Sequence, residues 1–295
     1  MVAQTNQSNL ADLSLARTAW RALEPYHAMI YFSPEARAAF KDASLKGYWM
    51  GYFAARSAPL GIVPTSVIAA LFYNFHPHMV NRALPDAWSF ATPQRILELR
   101  LQAADATLHR LLGEQITSGE LAEAAELARR AATSCPVEGR ALFAAYANLP
   151  WPTEPHLILW HATTLLREFR GDGHVASLLT AGIDGCEAHV VQVANGNTTR
   201  ENIQSNRGWS DEDWEAARRR LQQRGLLDEN GQFTTVGSTL YQEVEDRTDM
   251  LALPPWQHLG AEQAPRLISL VRPLSTRIIE QGGVPMPNPM GASRP

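Results

Sequence analysis

The sequence predicts a mainly α protein made of an N-terminal helical domain and a C-terminal winged-helix domain, the latter an α module carrying a small β-hairpin wing. Three observations predict it. Apolar residues recur at helical spacing along most of the chain, Ser-Pro and Thr-Pro pairs mark helix starts, and a proline cluster near the middle is followed by a characteristic order of elements. That order is helix, short helix, longer helix, Asp-Glu-Asn-Gly turn and closing helix.

In chain order, residues 1–12 read as a disordered tail, polar and without apolar spacing. The helical domain spans 13–148. Its first helix carries Leu13, Leu15, Ala19, Trp20 and Leu23 and stops before Pro25, because proline disfavours helical geometry in the residue before it. Ser33-Pro34-Glu35 opens the next, with serine as cap, proline at the first helical position and an acid at the positive end of the helix dipole. The aromatic segment Tyr48-Trp49-Met50-Gly51-Tyr52-Phe53 runs through Arg56 and breaks at Pro59. Pro64-Thr65-Ser66 starts a helix through Phe75 that His76-Pro77 ends, and two longer helices follow from Thr92-Pro93 to Leu112 and from Ser118 to Ala132. Three prolines make 149–155 a connector.

The winged-helix domain spans 156–260. A helix from His156 to Phe169 breaks at Arg170-Gly171-Asp172-Gly173-His174, resumes to Thr180, and is followed by a helix over Cys186–Ala194 and a short one from Thr199 to Asn206. Ser210 caps a helix with Trp214, Ala217 and Leu221 on one face. Asp228-Glu229-Asn230-Gly231 reads as a hairpin turn with Phe233-Thr234-Thr235 as the return strand, and Gly237 begins the closing helix. Residues 261–295 are a C-terminal helix and an irregular tail that either crosses another subunit or caps a cleft.

Composition excludes several classes. With 295 residues, 45% hydrophobic and 19% charged, the chain can bury two cores, and its net charge of −4 gives no general attraction for phosphate backbones or anionic lipid. The two cysteines, Cys135 and Cys186, lack zinc-site spacing. The start of the chain lacks the apolar core of a signal peptide, and no run of ~18 apolar residues follows, so the expected location is the cytoplasm. No GxGxxG, GxxxxGK[ST], HExxH or GxSxG occurs, and no cofactor is expected.

The string LxxRGLLDENGQFTTVG, Leu221 to Gly237, resembles the recognition helix and wing of MarR-type regulators. Through GYFAARSAPLG, LREFRGDGH, RGLLDENGQFT, EDRTD and NPMG, most of the chain also resembles an uncharacterised actinobacterial helix-turn-helix family. The resemblance implies the fold and a possible DNA role, yet the charges have the wrong sign. The segment that would enter the groove carries Asp211, Glu212, Asp213 and Glu215, and 226–246 contains no Lys or Arg. Arg200, Arg207, Arg218, Arg219, Arg220 and Arg224 form either a basic strip or a solvated face whose arginines answer acids such as Asp211 and Glu215.

The expected site is an aromatic-rich cleft between the halves that takes a small aromatic or flat apolar ligand. Tyr31, Trp49, Tyr52, Phe53, Phe75 and His76 are its walls, with Arg56 and Arg170 for an anionic group. The same aromatics also suit an ordinary helical core. His174, Asp172 and His27 are the acid/base candidates, Asp172 orienting His174; alternatively Asp172 only caps a helix. His76-Pro77-His78 has a loose metal-ligand spacing, with His27 or Glu35 as a third ligand, but no metal is expected. The sequence thus points to a small-molecule-binding protein or cofactor-light enzyme on a winged-helix scaffold, DNA and membranes being poor partners. The alternative is a ligand-responsive MarR-like transcriptional regulator that binds DNA as a homodimer.

Overall fold

The computed structural model describes the backbone of residues 2–288, 290 and 294–295, with side chains from Leu13 onward. Pro289 and Gly291 of the NPMG motif lie outside the described residues. The helices are α1 (Val2–Ala28), α2 (Pro34–Asp42), α3 (Gly47–Ser57), α4 (Thr65–Phe72), α5 (Pro77–Ala83), α6 (Ala87–Phe90), α7 (Pro93–Leu112), α8 (Gly119–Thr133) and α9 (Ala141–Ala147). They continue as α10 (Pro155–Thr180), α11 (Gly185–Ala194), α12 (Arg200–Gln204), α13 (Asp211–Gln223), α14 (Thr235–Leu251) and α15 (Pro254–Glu280), the last interrupted at Gly260.

The starts follow the capping chemistry. Ser33 accepts from the Ala36 amide, Thr92 from Arg95, Ser118 from Leu121 and Ser210 from Asp213, so each satisfies an orphan N–H of its helix. Two boundaries differ from expectation. α1 begins at Val2 rather than near Leu13, and it runs through Pro25 to Ala28. Proline there forfeits one backbone bond close to the helix end, while Tyr26 and His27 beyond it are fully buried against the rest of the molecule.

The second difference concerns the glycine-rich segment expected to break α10. The helix continues unbroken through Arg170–His174, because tertiary contact requires glycine at 173 in a helical conformation. A Cβ on Gly173 would lie 2.8 Å from Arg140 Nη1 and 3.2 Å from Leu251 Cβ. The Arg140 guanidinium fills that space, stacking 3.7 Å over the Phe169 ring and donating to the carbonyls of Phe169 and Leu251, which ties α10 to α14. Packing outweighs the ~1 kcal/mol helix penalty of a glycine.

α10 packs on α1, α8, α9 and α14 and so runs through the centre of the molecule. The larger core takes residues from Ala16 to Phe169 and again from Trp256 to Val284, so α15 returns to the N-terminal body. The smaller core, Leu178 to Val244, belongs to α11–α14 and the end of α10. The two cores therefore part within α10, beyond the proline-rich connector.

The wing expected as a β-hairpin is not formed as strands. Among the described residues it is a single antiparallel bridge, Leu227 to Phe233, closed by Asp228, whose carboxylate accepts from the Asn230 and Gln232 amides. Thr234 already caps α14, so the return arm has no length in which to build a ladder. At that joint the space is full: a Cβ on Gly237 would lie 1.9 Å from the Leu226 carbonyl oxygen. Gly237→Ala is expected to destabilise the protein by about 3 kcal/mol, because a backbone atom cannot rotate away as a side chain would. Urea unfolding of the two proteins, with an unchanged midpoint as the contrary result, checks this.

Candidate functional site

The N-terminal body carries a partly open cavity of about 440 Å³ between α2, α3, α7 and the turn that follows α1. Its apolar and aromatic wall includes Ile30, Tyr31, Phe40, Leu45, Tyr48 and Tyr52. All its charged lining residues are cations. Arg37 and Lys41 are exposed at the rim, and Arg100 is buried. A smaller cavity of about 230 Å³ shares Tyr31, Arg37, Tyr48 and Tyr52 and extends past Trp49 to Asn206, Arg207 and Met290. Of the two, the smaller space borders both halves, and the tail reaches that smaller space through Met290; the larger one lies wholly within the N-terminal body.

Behind the tyrosines sits a buried charge cluster. Arg56 makes a two-point ion pair with Glu168, Nε to Oε1 at 3.2 Å and Nη2 to Oε2 at 3.0 Å, while Arg167 Nη1 reaches Oε2 at 2.8 Å. Burial raises the Glu168 pKa, but Arg167 and then Arg56 outweigh it and hold the carboxyl at about 2. Arg56 also donates to the Tyr52 hydroxyl at 3.4 Å, and His27 Nε2 meets the Tyr31 hydroxyl at 2.9 Å. The other ring nitrogen of His27 meets Thr164 at 3.0 Å, and burial followed by the Arg167 charge depresses its pKa well below the usual imidazole value. His27 and Arg56 therefore orient two of the three tyrosines of the wall, Tyr31 and Tyr52.

Arg100 differs from these arginines. Its guanidinium lies 4.4 Å above the Trp160 ring and 5.2 Å from the Tyr146 ring, it forms no ion pair among the described residues, and its buried Nη2 has no hydrogen-bond partner. Sequence reasoning missed it, although a signal was present. The buried stripe of α7 runs Ile96, Leu99, Arg100, Ala103, Ala104, Thr107 and Leu108, and a cation within an apolar face at helical spacing demands a reason.

The other expected site residues are dispersed. Trp49 borders the smaller cavity, while Phe53 and Phe75 are core. His76 caps α5, accepting from His78 N at 3.1 Å, and packs edge-on against Trp209. Arg170 faces Asp249 at 2.7 Å and stacks over Trp20. Asp172 does not orient His174. Its carboxylate accepts from the Phe143 amide at 2.9 Å and so caps α9, not the helix after it, and burial lifts its pKa to about 6. His174 instead meets Thr248 at 3.0 Å, and burial followed by the Arg170 charge lowers its pKa to about 4. The expected acid/base pair is not assembled. His76 and His78 do not meet His27 or Glu35 at a common point; Glu35 is held by Arg110. Among the described residues, the side chains grouped suitably for a metal ion are Asp105, His109 and His156, whose ligand atoms lie within 4.8 Å of one another.

The arginines of the helix-turn-helix segment are mostly engaged. Arg200 pairs with Asp211 and Glu215, each at 2.7 Å. Arg218 pairs with Glu215, Arg220 with Asp184 and Glu187, and Arg224 donates to the carbonyls of Ala181 and Gly182. Arg207 is buried with its guanidinium over the Phe75 ring. Asp211 and Glu212 remain exposed at the start of α13.

Residues 16–285 match the family described as "Helix-turn-helix family". The chain belongs to that family. No curated protein and no solved structure matches it. No single helix among its described residues is long and apolar enough to cross a membrane.

His161, in α10, has its pKa lowered to about 4, first by burial and then by the Arg100 charge. It stays neutral in the folded chain while the unfolded chain takes up a proton near 6.5, so stability is lost as the pH falls from about 6.5 to about 4. In His161→Phe that loss is absent, and the variant should gain on the wild type by up to about 1.4 kcal/mol per pH unit through this window. Urea midpoints at several pH values read it; parallel curves would refute it.

Proposed function

We propose that this member of the helix-turn-helix family binds a small molecule with a flat apolar body in the 440 Å³ cavity of its N-terminal body, and that its winged-helix-like segment no longer reads DNA. The observation that carries the reading is the cavity itself. It has the size of ligand sites in general, its wall is aromatic, and two of its tyrosines are oriented from behind by His27 and Arg56. Expected as a cytoplasmic protein, it would meet such ligands there.

Electrostatics supports the second clause. A groove-entering helix needs cations free to displace counterions from phosphates, and here Arg200, Arg218, Arg220 and Arg224 are committed to carboxylates and carbonyls of the same module. A DNA-binding regulator is the second reading. Beyond family membership it is favoured by the smaller cavity, whose wall joins Tyr31, Tyr48 and Tyr52 to Asn206 and Arg207 next to α12, so that a bound ligand would touch the helix-turn-helix.

Titration of the protein with random and genomic duplex at low salt separates the readings. Binding is expected to be undetectable into the high micromolar range, beyond the ~10⁻⁴–10⁻⁶ M of typical non-specific complexes. A salt-steep, sequence-selective affinity would establish the regulator instead. Filling the cavity by Ala55→Trp is expected to abolish ligand-induced thermal stabilisation, itself about 2.7 kcal/mol at a hundredfold excess over Kd. Retention of the shift would place the ligand elsewhere.

A further inference from the structure

We infer that the cavity is an anion site: its ligand carries a carboxylate, sulfonate or comparable negative group that docks on Arg100, with the aromatic body held by Tyr31, Tyr52 and Phe40. The inference rests on the proposed cavity and goes beyond it by assigning the ligand's charge. Three observations carry it. The charged side chains lining the cavity, Arg37, Lys41 and Arg100, are all cationic in a chain whose net charge is −4. Arg100 is 4% exposed, and its Nη2 is fully buried without a hydrogen-bond acceptor. The neighbouring arginines Arg56 and Arg167, by contrast, share the carboxylate of Glu168.

A guanidinium cannot shed its proton at physiological pH, so burial cannot neutralise it as it would a lysine or histidine. Removing it from water without an anion is costly, and the Trp160 and Tyr146 rings return only part of that cost. An anion completes the arrangement. Two-point pairing with a planar guanidinium favours an oxyanion, and the low dielectric around the buried Arg100 side chain strengthens the contact. The exposed Arg37 and Lys41 at the rim attract the same sign of charge on entry.

Two probes with one skeleton test this. 8-Anilinonaphthalene-1-sulfonate carries a sulfonate; N-phenyl-1-naphthylamine is the same ring system without it, and both fluoresce on entering an apolar site. The wild type is expected to bind the sulfonate about tenfold or more tighter than the neutral probe, and Arg100→Met to erase that preference while retaining the neutral probe's affinity. A near-ultraviolet circular dichroism spectrum matching the wild type establishes that the variant is folded; Arg100→Lys, which keeps the charge but not the fork, is expected to retain part of the preference. Equal affinity of the wild type for both probes, each blocked by Ala55→Trp, would overturn the anion assignment and leave the cavity reading standing. Failure of both probes to bind, or binding unaffected by Ala55→Trp, would overturn both. A preference surviving Arg100→Met would move the anion to the rim and refute the role of Arg100.

Discussion

The Glu168 carboxylate, buried in the middle of α10 between Arg56 of α3 and its own neighbour Arg167, is the interaction around which this molecule is organised. Each partner depends on the others, because breaking a buried ion pair leaves an uncompensated charge at a cost of about 3–5 kcal/mol. The arrangement ties α3 to α10. Tyr52, one turn from Arg56, is thereby turned toward the cavity, and Tyr146 accepts no freedom either, its hydroxyl donating to the Arg56 carbonyl at 3.2 Å. The ion cluster stabilises little in net terms, yet it decides where the tyrosines stand.

Arg100 is set against this background of satisfied charge. The chain had an apolar stripe on α7 on which a leucine would have been the simpler residue, and it places there a permanent cation beside a space lined with rings. On the proposed reading, such a site sacrifices stability in the ligand-free protein for discrimination between ligands, the pattern in which buried polar groups reject whatever cannot answer them. The helix-turn-helix segment shows the opposite economy of charge. Arg200, Arg218 and Arg220 are spent on Asp184, Glu187, Asp211 and Glu215, holding α11, α12 and α13 together, and the start of α13 presents the exposed Asp211 and Glu212.

The residues show why some features were legible and others were not. Local rules suffice for Ser33, Thr92, Ser118 and Ser210, because a cap is satisfied within three residues of itself. They fail at Gly173, whose conformation answers to Arg140 and Leu251 from other elements, and at Asp172, which caps a helix lying earlier in the chain rather than the one it sits in. They fail also for the wing, where the turn chemistry was right but the arms were too short for strands. In the site, Tyr31, Tyr52, Arg56 and His27 come together, whereas Arg170 and His174 turn to Asp249 and Thr248.

The sequence by itself determined the helical class, the capped starts, the order of the helix-turn-helix segment and the acidic sign of its exposed end, since each depends on residues within a turn or two of one another. Only the tertiary structure decided which arginine lacks a carboxylate, that a cavity opens beside it, and that α10 runs unbroken through its glycines. Those outcomes depend on pairings such as Arg56 with Glu168, 112 positions apart, and separation along the chain carries no information about which of several buried charges will meet.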